Sequence, residues 1–280
     1  MPPTGATARK RPSRTAARED HSRTGADGRR AAAVRRSAAS RGPTTAPVAA
    51  SPEERFGGFA DDAIQFLLEL QAEQSRTWFK AHQDDYVRLL RRPLELLVAE
   101  LQARLTNVYP HIGSVEPHIF RIQRDTRFAK DKSPYKTNVA ANLPIRPPLD
   151  GGDHHTTPGI YLSFGLDGEY VALGAWHMEP EVVLRYRELL GKPRVGTALM
   201  AIVNVLTESG WQLGSMESLK RVPAPYPQDH PCAELLKRKG LAMSIQPGEG
   251  LSDSHAFADW AVARLSDAAP MINWLDRHLG

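Results

Sequence analysis

Apolar positions begin to recur with a helical period at Phe59. The stretch "FADDAIQFLLELQAEQ" sets Phe59, Ala63, Phe66, Leu67 and Leu70 on one face and places Asp61 and Asp62 where a helix presents its positive end, so a core-facing helix is predicted. Ser75 supplies an N-cap for a second helix through "RTWFKAHQDDYVRLL". Pro93 then interrupts, and "LELLVAELQARLTNV" resumes with Leu94, Leu97, Val98, Leu101 and Leu105 on one face. The period changes at "VEPHIFRIQ", where His118, Phe120 and Ile122 alternate with Ile119, Arg121 and Gln123 as in a strand continuing to about residue 125. "GIYLSFGLDGEYVALGAW" holds two alternating runs around Asp167-Gly168, a pair that tolerates a tight turn, and predicts a β-hairpin.

Further on, "VVLRYRELLGK" and "VGTALMAIVNVLTESG" predict two helices, the second stopped at Gly210. A proline-stiffened loop carrying Tyr226 leads to a short helix ending near Lys237, Arg238 and Lys239. "LAMSIQ" reads as a strand, and a final helix from Ser252 to about Leu279 is kinked or broken by Pro270. Helices, then strands, then helices, without βαβ alternation, predict an α+β fold: a mainly antiparallel sheet with helices packed around it. The tryptophans at 78, 176, 211, 260 and 274 lie on these patterns and read as core or interface anchors.

Composition adds a boundary. Residues 1–50 hold eleven Lys/Arg against three acids, which leaves 25 bases and 29 acids for the rest of the chain. The positive charge therefore belongs to the N-terminal segment, and the remainder is mildly acidic. That segment has no aromatics and no sustained amphipathic pattern, so residues 1–52 are expected to be a disordered basic tail and residues 53–280 a single globular domain. The tail suits weak, non-specific nucleic-acid contact. No apolar run approaches the roughly 18 to 20 residues of a membrane span, no secretory signal opens the chain, and Cys232 stands alone. The expectation is a soluble cytoplasmic protein with no membrane association.

Candidate chemistry concentrates in "RDTRFAKDKSPYK", residues 124–136, where Arg124, Arg127, Lys130, Lys132 and Lys136 face only Asp125 and Asp131. With Arg121 just upstream, the mixture of guanidinium forks and ammonium groups is what an oxyanion pocket requires. Ser133-Pro134 turns the chain, after which Tyr135 can offer a hydroxyl, and Asp125 and Asp131 can orient Arg127 and Lys132. The competing reading is a solvated loop whose charges pair with one another. Tyr135 or Lys132 could serve as acid or base, and Asp125 or Asp131 could ligate a divalent cation that bridges phosphate oxygens. His177, at the end of the hairpin, is a weaker site candidate, and His154-His155 reads as an exposed Gly/Pro loop. No P-loop, metalloprotease helix, nucleophile elbow or dinucleotide fingerprint is present.

Four blocks carry a resemblance. "FLLELQAEQSRTWFKAHQDDY", "FRIQRDTRFAKDKSPYKTN", "GIYLSFGLDGEYVALGAWHMEP" and "LKRVPAPYPQDHPCAELLKRKGL" are similar, in order and spacing, to the domain of unknown function 2461 family over roughly residues 56–275. Gln74-Ser75 stands where that family tends to show an Asn pair, and "ALGAW" replaces a glycine-rich ending. The family carries no assigned activity, so the resemblance implies a domain and a block, and the chemistry rests on the residues. They favour a protein, an enzyme or a binder, for a phosphorylated small molecule or nucleotide. The alternative is an interaction module whose basic tail and loop contact nucleic acid or protein.

Overall fold

The computed structural model describes residues 54–127, 130–147 and 157–279, all within one compact unit, Pro47–Gly280. The basic segment 1–52 and His154-His155 lie outside the described residues. No single helix among the described residues is long and apolar enough to cross a membrane.

The predicted first helix is α1 (Asp61–Ala72), and the apolar face read from its spacing is buried, with Phe59 packed beside it. Ser75 caps α2 (Arg76–Ala81), its hydroxyl accepting from the Trp78 amide at 3.1 Å. The expected interruption at Pro93 is absent. Instead α3 (Gln83–Tyr86) runs through a π-helical turn at Val87–Arg91 into α4 (Arg92–Leu105). Pro93 sits in the first turn of α4, where its missing N–H breaks no ladder that the wider turn before it has not already loosened. Leu94, Leu97, Val98, Leu101 and Leu105 are buried as predicted.

Among the described residues six antiparallel strands form one sheet: β1 (His118–Ile119), β2 (Asn138–Pro144), β3 (Gly159–Gly165), β4 (Tyr170–Ala175), β5 (Gln212–Gly214) and β6 (Leu241–Ile245). Their spatial order is β1-β2-β3-β4-β6-β5. β3 and β4 are the predicted hairpin, turned at Gly168 with φ of +110°. In β4, Gly174 at φ +130° lets the backbone approach its neighbour: a Cβ there would lie 2.2 Å from the Leu241 carbonyl oxygen. The remaining helices are α5 (Pro180–Leu190), α6 (Pro193–Glu208), the short α7 (Ala233–Leu236), α8 (Ala256–Asp267) and α9 (Ala269–Leu279). The break between the last two falls at Ala268, next to Pro270. The observed fold is thus the α+β architecture that the order of elements predicted.

The two faces of the sheet differ. Strand periodicity sends Val139, Ala141 and Leu143, Ile160, Leu162 and Phe164, Val171 and Leu173, and Leu241 and Met243 to one face, where all are buried and where α4 packs on β2 and α9 on β4. This face, roofed by helices, is the core. The opposite face carries Asn138, Ala140, Asn142, Tyr161, Tyr170, Ala172, Gly174, Ala242 and Ser244, and a cleft opens on it.

Candidate functional site

The cleft has a volume of about 660 Å³, within the range of small-molecule sites. Short side chains from neighbouring strands, Ala140, Ala172, Gly174 and Ala242, leave the space. Phe120, Tyr161, Tyr170 and Trp176 supply aromatic surface, and Asn138, Asn142, Thr157 and Ser244 supply amides and hydroxyls. Arg121 and Lys136 are its charged residues, and no carboxylate lines it among the described residues.

The charged block contributes to this cleft only through its two ends. The strand expected through residue 125 is two residues long, extended by the Phe120 amide donating to the Ala140 carbonyl at 2.9 Å. Alternation fails after Phe120. Arg121 joins Phe120 at the cleft, and Ile122 turns into the core. The chain then folds back on itself, with Arg124 donating its amide to the Pro134 carbonyl, Lys136 to that of Ile122, and Gln123 bridging Tyr135. The result is a loop whose base is pinned to the sheet and whose tip is solvated.

The tip is largely self-satisfied. Asp125 accepts from Arg127 through both carboxylate oxygens, at 2.6 Å to Nη2, and also from the Arg127 amide. Those bonds hold its pKa down at about 2, with lesser help from the charge of Arg121. Asp131 does not orient Lys132 as the sequence suggested. It accepts from Arg124 Nη1 at 2.6 Å and from the amide and hydroxyl of Ser133, which lower its pKa. Lys132 is exposed and donates to the Thr126 carbonyl, and Lys130 is exposed. Tyr135 is not a cleft residue either: it is buried, its ring stacks on Phe79 at 4.5 Å, and its amide donates to Gln74 Oε1. The apolar contact outweighs any use of the hydroxyl at the surface, because α2 offers Phe79 directly beneath the turn.

At the base, Lys136 is half-buried. Its ammonium donates to the Arg121 carbonyl at 3.1 Å and stands 5.4 Å from the centroid of the Phe120 ring. Burial first, and then the like charges of Arg121 and Arg124, push the Lys136 pKa below the ordinary lysine value. Three cations therefore share this corner; among the described residues Arg124 is paired with Asp131, and Arg121 and Lys136 make no ion pair. The Arg124 Nε is buried without a partner.

His177 follows Trp176 at the end of β4, with Nδ1 buried and unpaired, and lies near Glu217, which is already bonded to Lys239. It is not brought to Asp125 or Asp131; among the described residues no three Asp, Glu, His or Cys side chains gather as a metal site would require. Tyr226, on the proline-stiffened loop, packs on Gly191 at the end of α5.

Several cleft residues escaped the sequence reading. Asn138 and Asn142 alternate with Ala140 in "NVAANLP", and that short polar alternation was the available signal. Trp211 and Trp274 are buried anchors as expected, but Trp176 is 52% exposed and lines the cleft, its ring lying over Gly214, where a Cβ would sit 3.0 Å from the indole.

The chain is thus an α+β protein whose helix-backed antiparallel sheet carries a cationic, ring-lined cleft on its other face. Residues 62–274 match the sequence profile of a family described as "Conserved hypothetical protein (DUF2461)", and the chain belongs to that family. No curated protein and no solved structure matches it.

Proposed function

We propose that the cleft binds a small molecule bearing a phosphate or similar oxyanion, with Arg121 and Lys136 as its charged partners. One observation carries this reading: two cations stand together at the cleft margin with no carboxylate between them, and one of them bears the cost of partial burial. An anion bound there returns favourable charge to Lys136, and the Arg121 fork suits phosphate oxygens. The reading is one of binding. Groups suggested for acid–base or metal chemistry are engaged elsewhere, Asp125 with Arg127, Asp131 with Arg124 and Ser133, Lys132 with a carbonyl and Tyr135 with the core.

The test is thermal unfolding of the full chain with inorganic phosphate and ribose 5-phosphate. A ligand at 100 times its dissociation constant stabilises by about 2.7 kcal/mol, raising the midpoint by roughly 5 to 10 °C for a domain of this size. The shift should vanish in Lys136→Met and Arg121→Ala and persist when residues 1–52 are deleted. Binding that survives both substitutions and disappears with the tail would instead favour the nucleic-acid module.

A further inference from the structure

We infer that the ligand of this cleft is an adenine nucleotide, its base stacked on the Tyr161 ring and its edge read by the Asn142 carboxamide. The inference rests on the anion reading of the same cleft and adds what lies beyond the phosphate.

Rings run across the sheet from the cationic corner. Phe120 lies under the Lys136 ammonium, Tyr161 follows at 5.9 Å between centroids and Tyr170 at a further 5.8 Å. Phe120, beside β1, reaches Tyr161 on β3 over the short Ala140 of β2, and Tyr170 is on the next strand, so a phosphate held by Lys136 and Arg121 has an aromatic surface within the reach of its own nucleoside. A simple sugar phosphate would leave that surface unused.

The polar groups beside the rings are not equivalent. Asn138 is committed, its Nδ2 donating to Ser163 Oγ at 2.9 Å. Asn142 is Tyr161's direct cross-strand partner and lines the cleft, yet its carboxamide makes no hydrogen bond among the described residues. Its position is held open by Gly159, where a Cβ would lie 2.8 Å from Asn142 Oδ1. A carboxamide presents one acceptor and one donor side by side, the complement of the N6 amino group and N7 of adenine. Guanine presents two acceptors on that edge, so one of its groups would face the amide oxygen unpaired.

Equilibrium dialysis of the full chain against AMP, GMP, ribose 5-phosphate and adenosine tests this. AMP is expected to bind roughly tenfold or more tightly than ribose 5-phosphate, through stacking, and roughly tenfold more tightly than GMP, through the base edge. Asn142→Ala should erase the AMP-over-GMP preference while leaving ribose 5-phosphate unchanged. Tyr161→Leu should weaken AMP, with Tyr161→Phe retaining it. Equal binding of AMP and ribose 5-phosphate would overturn the nucleotide and leave the phosphate reading standing. Equal binding of AMP and GMP by the parent protein, which needs no variant to fold, would overturn the role of Asn142. Adenosine binding as tightly as AMP, or no binding by any of the four, would overturn both readings.

Discussion

The cations at the tip and at the base of the 121–136 loop have opposite fates. At the tip, Arg124 and Arg127 each find an aspartate two to seven residues away, and Lys132 finds a carbonyl. At the base, Arg121 and Lys136 stand against the sheet, where no carboxylate lines the cleft beside them among the described residues. Asp125 reaches Arg121 only as a lesser influence behind its bonds to Arg127. A surplus of positive charge in a sequence therefore identifies a candidate site only after the local pairs are removed. What then remains at the cleft is two residues from opposite ends of the block, with Lys130 left exposed at the tip.

The largest effect expected from breaking this arrangement comes from its anchor. Tyr135→Ala removes a buried ring stacked on Phe79 and should cost about 3 to 5 kcal/mol in urea unfolding, with Tyr135→Phe close to the parent. Next is Lys136→Met. It should weaken phosphate binding by roughly tenfold or more in dialysis, since it deletes a charge-assisted contact. The same variant should unfold at a higher temperature than the parent at neutral pH. Because the folded-state pKa of Lys136 lies below its ordinary 10.5, the folded protein carries the cost of the charged form at neutral pH. That cost disappears as pH rises from the folded value towards 10.5, so the advantage of the methionine variant should shrink over that interval. Phosphate affinity of the parent should fall over the same rise.

A smaller change tests whether the tip can be converted into more base. Asp131→Asn releases Arg124, whose charge already reaches Lys136, and should raise phosphate affinity by less than about tenfold. The smallest effect belongs to Asp125→Asn. The Asp125–Arg127 pair is exposed, so the unfolding midpoint at neutral pH should fall only slightly below that of the parent, and the difference should close in acid. Asp125's own contribution in the parent is present above the ordinary carboxylate value and should be lost only as pH falls towards about 2, because its folded pKa is depressed.

Much of the fold was legible because periodicity survives in single elements. The α1 face, the Ser75 cap, the β3–β4 hairpin and the break at Pro270 all follow from spacing within a dozen residues. The three-residue β5 did not, since so short a strand is defined by its partner β6 and carries no pattern of its own. The π-helical turn ahead of Pro93 was equally silent, because the periodic face on either side reads the same. In the candidate site, the sequence located the charged block and its excess of cations. It did not show how the block divides, because Tyr135 is claimed by Phe79 and Gln74, residues some sixty positions away (about). Nor did it show that "NVAANLP" and Trp176 would complete a cleft, which depends on the order of strands.

The sheet's outer strands are also its shortest: β1 has two residues and β5 three, against five to seven in the four between them. An edge strand is a row of unpaired amides and carbonyls that invites a foreign strand to add on. Two such brief edges give an intruding chain few bonds to make, which guards the protein against edge-to-edge aggregation even though one face of its sheet carries no helix among the described residues.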